Sequence, residues 1–233
     1  MKTYVLIGGS STIAQTLIKS LENIDMNLLV YSRSENLFPR QGNVTWRQFD
    51  ILEDEFNSSE IPSSIDALLY FPGTINLKPF NSLQNENFQS DYEINFLGAV
   101  KAIKAFYRPL RKSGNGSIVM FSTVAAKVGM PYHASIASAK AAIEGLTRSL
   151  AAEFAPHIRV NCIAPSLTDT QMASQLLSTE DRKNSIVQRN PMRQIGKPEE
   201  LAAMAEFLIS EKSAWITGQV IGVDGGMSTL NLA

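Results

Sequence analysis

Short apolar runs that alternate with helix-period segments are the sequence feature that most constrains the fold. Between the first two runs, Ile13, Leu17 and Leu21 recur every four residues with Ala14 and Ile18 alongside, which predicts a helix with one apolar face. Strands joined by such helical crossovers form a parallel sheet with helices on both sides. The pattern therefore predicts a doubly wound α/β fold of three layers. The apolar runs span residues 4–7, 28–31, 67–71, 117–121, 158–163 and 219–223.

The later helix-period segments follow the same rhythm within one domain. Segments 96–110, 134–154 and 199–209 are rich in Ala, Leu, Ile and Glu, and predict helices. We expect prolines to mark their ends, at Pro109, Pro156 and Pro198. Residues 170–193 are polar and weakly periodic, which is typical of a lid over a site. Since no repeat or linker composition interrupts the chain, we expect residues 1–233 to form a single domain.

Composition limits the classes of partner. The 233 residues are 44% hydrophobic, which suits one substantial core, and 21 basic residues against 22 acidic ones leave a net charge of −1. This balance argues against nucleic acid and membrane surfaces, and favours a small-molecule substrate. Cys162 is the only cysteine, so no intramolecular disulfide or cysteine metal cluster is expected. The opening apolar run is too short for a signal peptide, and no run approaches the ~18 residues of a membrane span. We expect a cytoplasmic protein without a metal site.

A glycine pair follows the first predicted strand and precedes the first predicted helix. The segment from Gly8 to Ala14 reads GGSSTIA. Glycine turns at a helix N-terminus can hold a pyrophosphate through backbone N–H groups. An ordinary strand-to-helix turn would account for these seven residues equally well, so the loop alone leaves both interpretations open.

Three segments together resemble one family. The glycine loop resembles the TGxxxGxG fingerprint of short-chain dehydrogenases/reductases, residues 160–165 (VNCIAP) resemble its VNxIAPG stretch, and ITGQ at 216–219 with VDGG at 223–226 resembles its ending. The segments run in family order along essentially the whole chain, and the chain resembles the members that are similar to 3-oxoacyl-acyl carrier protein reductases. The resemblance implies a Rossmann fold, a nicotinamide dinucleotide, hydride transfer with a small carbonyl or alcohol, and homodimers or homotetramers assembled through the helices at 96–110 and 134–154.

The resemblance also implies where the cofactor binds. It assigns the pyrophosphate to Gly8, Ser10, Ser11, Thr12 and Ile13. Thr12 departs from the family pattern, because it stands where a second glycine would let the backbone approach the phosphates. Its hydroxyl could instead bind a phosphate.

Arg33, after the second predicted strand, determines which dinucleotide is expected. An acidic residue, which would bind a ribose 2′-hydroxyl, is missing there, and a guanidinium suits a 2′-phosphate. We therefore expect NADP rather than NAD, although a surface arginine without a role remains the alternative. The resemblance implies further cofactor contacts, after a third strand and along the sheet edge, at Asp50, Ile51, Gly73, Pro165 and Thr170.

The catalytic set is incomplete. Family members pair a tyrosine with a lysine one helical turn later, so that the ammonium lowers the phenol pKa for proton transfer. Lys140 matches the lysine, but Ile136 occupies the tyrosine position and cannot exchange a proton. Without a tyrosine, Lys140 could still bind the hydroxyls of the nicotinamide ribose, or it could be a charged helix residue if nothing binds there. Asn95 matches the family asparagine, and Thr123 matches the serine, with Ser122 beside it as an alternative.

Two nearby residues could replace the tyrosine. If the helix began early, Tyr132 would lie one turn before Ile136 on the same face, and His133 titrates near neutrality. Both could equally be loop residues at the mouth of a substrate site. The sequence thus supports an NADP-dependent oxidoreductase with an atypical active site, or a non-catalytic relative that binds a dinucleotide or metabolite for sensing or assembly.

Overall fold

The computed structural model describes residues 1–21, 25–34 and 43–231 of the chain. The strands are β1 Lys2–Ile7, β2 Met26–Ser32, β3 Val44–Gln48, β4 Ala67–Tyr70, β5 Gly116–Phe121, β6 Ile158–Pro165 and β7 Val220–Val223. They form one parallel sheet in the order β3-β2-β1-β4-β5-β6-β7. The chain winds outward from β1 in one direction and from β4 in the other, so the predicted doubly wound Rossmann fold is confirmed, as a single domain.

Helices cover both faces of the sheet. They are α1 Thr12–Leu21, α2 Asn85–Tyr92, α3 Gly98–Ser113, α4 Ala134–Phe154, α5 Glu180–Arg189 and α6 Pro198–Ile209. A π-helical turn, Glu93–Leu97, joins α2 directly to α3. No helix in the described part of the chain is long and apolar enough to cross a bilayer.

Alternation along the strands creates two cores. In β1, Val5 and Ile7 face the layer that contains Phe106 of α3, whereas Tyr4 and Leu6 face the opposite layer, with α1 and α6. Successive side chains of a strand point to opposite faces, so a central parallel strand must be apolar throughout. The continuous apolar runs of the sequence are the consequence of this double burial.

Three details differ from the sequence-based expectations. The edge strand β3 was not among the apolar runs, because its side chains are only half-buried or exposed. Pro109 does not end a helix: it lies inside α3, which continues to Ser113. The polar segment 170–193 contains a helix, α5, although none of the residues in that helix is buried. By contrast, α4 covers the predicted span 134–154, and Pro198 begins α6 as expected.

Candidate active site

The carboxyl edge of the sheet gathers the predicted site residues. The strand order reverses between β1 and β4, and the segments that follow these strands carry Gly8 and Gly73. Parallel α/β sheets bind their ligands at such a switch point, beyond the carboxyl ends of the strands. Pro165, at the end of β6, lies on the same edge.

The glycine loop makes a tight turn from β1 into α1. Gly8 has a φ of 76°, and a Cβ there would lie 2.8 Å from the Cδ atom of Pro72, so the position requires glycine for both conformation and space. The N–H groups of Gly8 and Gly9 donate to the Tyr31 carbonyl at 2.8 and 3.1 Å. Ser11 caps α1, because its Oγ accepts from the Ala14 N–H at 3.2 Å. The turn directs the N-terminus of α1 toward the edge of the sheet, where an anion is stabilised.

Thr12 connects this loop to the segment that follows β6. Its Oγ1 accepts a hydrogen bond from the Gln171 N–H at 3.1 Å. Thr170 caps the 3₁₀ turn that begins there, through an Oγ1 that accepts from the Ala173 N–H at 3.3 Å. The half-buried Ile13 packs on the core beneath α1. Thr12 therefore ties the glycine loop to the start of segment 170–193, and its hydroxyl keeps only its own hydrogen for a phosphate. Ser10 lies in the turn itself.

Arg33 and Asp50 lie at the carboxyl ends of β2 and β3. The Arg33 side chain is 81% exposed, and its Nη1 is 3.9 Å from Asp50 Oδ2. Asp50 Oδ1 also accepts from the Leu52 N–H at 3.0 Å, which holds the turn after β3. Ile51 packs on α3, where a Cβ on Gly98 would lie 2.8 Å from Ile51 Cγ1. The guanidinium remains open to solvent and to an anion.

Gly73, Asn95 and Lys140 meet at the centre of the edge. A Cβ on Gly73 would lie 3.1 Å from Asn95 Oδ1 and 3.3 Å from Lys140 Nζ, so the two polar groups approach the same small space. Lys140 Nζ donates to the Phe121 carbonyl at 2.9 Å. Burial lowers the pKa of Lys140 to about 8, although the nearby Cys162 and Asp91 act in the opposite direction. A buried ammonium with a pKa near neutrality can give up and regain a proton.

The tyrosine position offers no proton. Ile136 is 5% exposed, on the same helix as Lys140. Thr123 lies at the end of β5, and its Oγ1 accepts from the Ala125 N–H at 3.3 Å, which leaves its own hydrogen for another acceptor. Ser122 points elsewhere: its Oγ donates to Glu144 Oε1 at 2.8 Å. Of the two hydroxyls, Thr123 is the one left with an available proton.

Tyr132 does not lie on the α4 face that would place it above Ile136. The helix begins at Ala134, with His133 as its N-terminal cap residue, so the early helix start required for Tyr132 is wrong. Tyr132 instead has a φ of 69° and is 59% exposed. The Nδ1 atom of His133 is 2.7 Å from the Pro131 carbonyl oxygen, within the same loop. Lys140 Nζ, by contrast, borders the same small space as Asn95 Oδ1.

A buried carboxylate that the sequence analysis missed lies behind Asn95. Asp91 is fully buried and accepts hydrogen bonds from Thr74, Asn76 and Ser135. The available signal was its spacing, since Asp91 precedes Asn95 by four residues and so lies on the same helical face. No group of three or more potential metal ligands occurs among the described residues.

Comparison with known proteins identifies the family of the chain. The family model described as enoyl-(acyl carrier protein) reductase matches residues 55–228, which is most of the chain. The chain belongs to the short-chain dehydrogenase/reductase family. A 3-oxoacyl-[acyl-carrier-protein] reductase of Chlamydia muridarum is 30% identical over 97% of each chain. A tropinone reductase homologue of Arabidopsis thaliana is 34% identical over 73% of this chain and 65% of that protein.

Solved structures of the same family superpose over nearly the full length. The structure of ElxO with NADP bound has a TM-score of 0.87 and 26% identity, and the match covers 99% of this chain and 100% of that one. A gluconate 5-dehydrogenase from Burkholderia cenocepacia, in complex with NADP and tartrate, has a TM-score of 0.89 at 23% identity, over 99% and 96% of the two chains. The family fold therefore extends over nearly the whole length of the chain.

Proposed function

We propose that this protein is an NADP-dependent oxidoreductase that transfers a hydride between the dinucleotide and a small carbonyl or alcohol, with Lys140 as the proton-exchanging group. The observation that carries the proposal is the convergence of Lys140 Nζ and Asn95 Oδ1 on Gly73 at the switch point of the sheet. A substrate carbonyl placed there would face the buried ammonium of Lys140. The resemblance to the family implies a tyrosine for this task in other members.

The residues at the edge of the sheet fit a dinucleotide. The Gly8 turn and the capped N-terminus of α1 suit a pyrophosphate, and the exposed guanidinium of Arg33 suits a 2′-phosphate. On the reactive side, Pro165 is the last residue of β6, and Thr170 lies five residues later. The NADP in the ElxO structure supports the same choice of cofactor. NADPH, when bound, supplies the hydride.

The protein's own residues donate and recover the proton. In the direction of carbonyl reduction, the carbonyl carbon gains the hydride, and the oxygen takes a proton from the Lys140 ammonium, which becomes a neutral amine and later regains a proton from solvent. The Thr123 hydroxyl, which accepts from the Ala125 N–H and keeps its own hydrogen, donates that hydrogen to the same oxygen. Asn95 keeps a polar acceptor beside Lys140. Residues 170–193, joined to the glycine loop through Thr12, act as the lid that excludes water.

Turnover and binding measurements test this proposal. We expect the purified protein to bind NADPH, measured by fluorescence titration, and to oxidise it with at least one member of a panel of small carbonyls. Lys140→Met keeps the length of the side chain but removes the ammonium, and should lower kcat by about 10²–10⁴-fold. Failure of the wild-type protein to oxidise NADPH with any carbonyl would refute the assignment.

The Ile136 position allows a gain-of-function test. Ile136→Tyr places a phenol one helical turn from Lys140 and should raise kcat, whereas Ile136→Phe adds the same ring without the hydroxyl and should not. Equal rates in the two variants would show that the phenol reaches neither substrate nor lysine. Activity in Ile136→Tyr alone would identify the natural protein as an inactive relative.

A non-catalytic, dinucleotide-binding role is the second candidate. Two observations favour it: Ile136 buries an alkyl group at the proton-donor position, and Thr12 joins the glycine loop to Gln171 at the place where phosphates would bind. Such a protein would signal or assemble according to whether a dinucleotide occupies the cleft. Tight NADPH binding without turnover of any carbonyl would distinguish this role from catalysis.

Assembly through the helical faces accompanies either role. Tyr92, the last residue of α2, and Leu97, the last residue of the π-helical turn, are 42% and 46% exposed, and such exposed apolar side chains favour contact with a second copy. We infer a homodimer or homotetramer that uses α3 and α4. Light scattering should show it for the wild type and a smaller species for Leu97→Glu, while a monomeric wild type at micromolar concentration would exclude it.

A further inference from the structure

A buried carboxylate beside a catalytic site needs an explanation, because an uncompensated buried charge is costly. Asp91 is 0% exposed, and three side chains from two separate segments donate to it. Thr74 and Asn76 follow β4, and their side chains bond to Oδ1, the amide of Asn76 at 2.7 Å. The Ser135 hydroxyl bonds to Oδ2 from the first turn of α4. Asp91 thus joins the loop after β4 to the start of the helix that carries Lys140.

The orientation of the Asn95 amide follows from these contacts. Asn95 Nδ2 lies 2.7 Å from the Asp91 carbonyl oxygen and 2.9 Å from Thr74 Oγ1. A carbonyl oxygen can only accept, so this end of the amide must be the nitrogen. Thr74 gives its single hydrogen to the Asp91 carboxylate, so it can only accept from Asn95. The hydrogen bonds therefore run in one direction, from Asn95 through Thr74 to Asp91.

The other end of the amide is consequently a buried acceptor. Asn95 Oδ1 has no hydrogen-bond partner among the described residues, although Asn95 is 0% exposed. It faces the space beside Gly73, which Lys140 Nζ also borders. A buried acceptor without a donor is costly unless a ligand, a water or the lysine supplies a proton during function.

We infer that Asp91 is a positioning residue, which acts through Thr74 to keep Asn95 Oδ1 turned toward Lys140. In this orientation, Oδ1 can accept a hydrogen bond from the group that exchanges a proton with the lysine. The inference rests on the proposed function as far as the proton is concerned. When Lys140 has lost its proton to substrate, Oδ1 can accept from the hydroxyl or water that returns one, and Asp91, through its hydrogen bond from Thr74, prevents the amide from turning its nitrogen to that space. The site thereby keeps an oriented acceptor where the tyrosine hydroxyl is missing.

Amide exchange in the ligand-free protein tests the hydrogen-bond chain without any activity. Thr74→Val removes the hydroxyl but keeps the shape, so the side-chain amide protons of Asn95 should exchange about fivefold faster by NMR. Thr147→Val is the matched control, because it removes another buried hydroxyl, which bonds to the Ile143 carbonyl within α4. Thr74→Ser retains the hydroxyl and should restore slow exchange. Equal exchange in Thr74→Val and Thr147→Val would overturn the assignment, even if Asp91→Asn fails to fold.

Kinetics then test the positioning role. Thr74→Val and Asp91→Asn should lower kcat about tenfold while the NADPH dissociation constant stays within about twofold, and Thr74→Ser should recover the wild-type kcat. An increase in KM alone, or an equal loss of kcat in Thr147→Val, would indicate a merely structural contact. Either result would overturn the positioning role of Asp91 and Thr74. A wild-type protein that does not oxidise NADPH would refute the proposed function instead, while the amide exchange would still decide whether Asp91 and Thr74 orient Asn95.

Discussion

Substitution of Gly8 tests whether the glycine loop is built as the structure has it. In Gly8→Ala, the new Cβ would lie 2.8 and 2.9 Å from the Cδ and Cγ atoms of Pro72, whose ring cannot turn away. The residue would also keep a φ of 76°, which costs an alanine about 1–2 kcal/mol. Overpacking adds about 1–3 kcal/mol, so the total destabilisation should be ~2–5 kcal/mol.

Gly114 provides a matched control for the conformational part. It has a φ of 78°, but a Cβ there would meet nothing within 4 Å, so Gly114→Ala should cost only the backbone part, about 1–2 kcal/mol. At about 2–4 °C per kcal/mol for a chain of this size, the melting temperature of Gly8→Ala should lie about 2–12 °C below that of Gly114→Ala in calorimetry. Pro72→Ala should relieve part of the difference. Equal melting temperatures for the two glycine variants would refute the close contact between the loop and Pro72.

Three further results are expected. Arg33→Gln should weaken NADPH binding about 10–100-fold in calorimetric titration and leave NADH binding unchanged, because only the 2′-phosphate loses its cation; a parallel loss for both would contradict this. Thr12→Val should speed amide exchange at Gln171 about fivefold, whereas Thr12→Ser keeps the acceptor and should not; no difference would mean that the bond does not form in solution. The kcat for carbonyl reduction should fall as pH rises through about 8, where Lys140 loses the proton that it donates. Asp91→Asn should move this fall to lower pH, because Asp91, like Cys162, raises the pKa of Lys140 by favouring its charged form. A flat profile between pH 6 and ~10 would argue against Lys140 as the donor.

The central layers of the fold were predictable from the sequence because burial on both faces leaves a continuous signal. Strands such as β1 and the amphipathic helix α1 appear directly in the pattern of apolar residues. The edge strand β3 does not appear in that pattern. It pairs with one strand and is partly exposed, so it can contain polar residues such as Thr45 and Arg47. Pro109 was a misleading signal, because a proline usually breaks a helix interior, whereas α3 accommodates it and continues to Ser113.

The candidate site was predictable only where spacing along one element decides it. Lys140 and Ile136 share a helix, so their relation followed from the sequence. Asp91, Thr74 and Ser135 come from three segments, and only the folded chain brings them together. Whether Tyr132 could act depended on where α4 begins, and helix ends are weakly encoded when the cap residue, here His133, makes no side-chain bond to the helix. Ser122 and Thr123 are adjacent in sequence, so only the structure shows which hydroxyl keeps an available proton.

A crystal structure of the protein with NADP bound tests the central claim most directly. The claim is that a dinucleotide lies across the carboxyl edge of the sheet, from the Gly8 loop to Lys140. The predicted result is a pyrophosphate at the N-terminus of α1 and a nicotinamide ring beside Gly73, with Lys140 Nζ within hydrogen-bond reach of the ribose or of a substrate oxygen. A nucleotide bound elsewhere, or a groove closed by Thr12 and the segment from Gln171 so that the ring cannot reach Lys140, would contradict it.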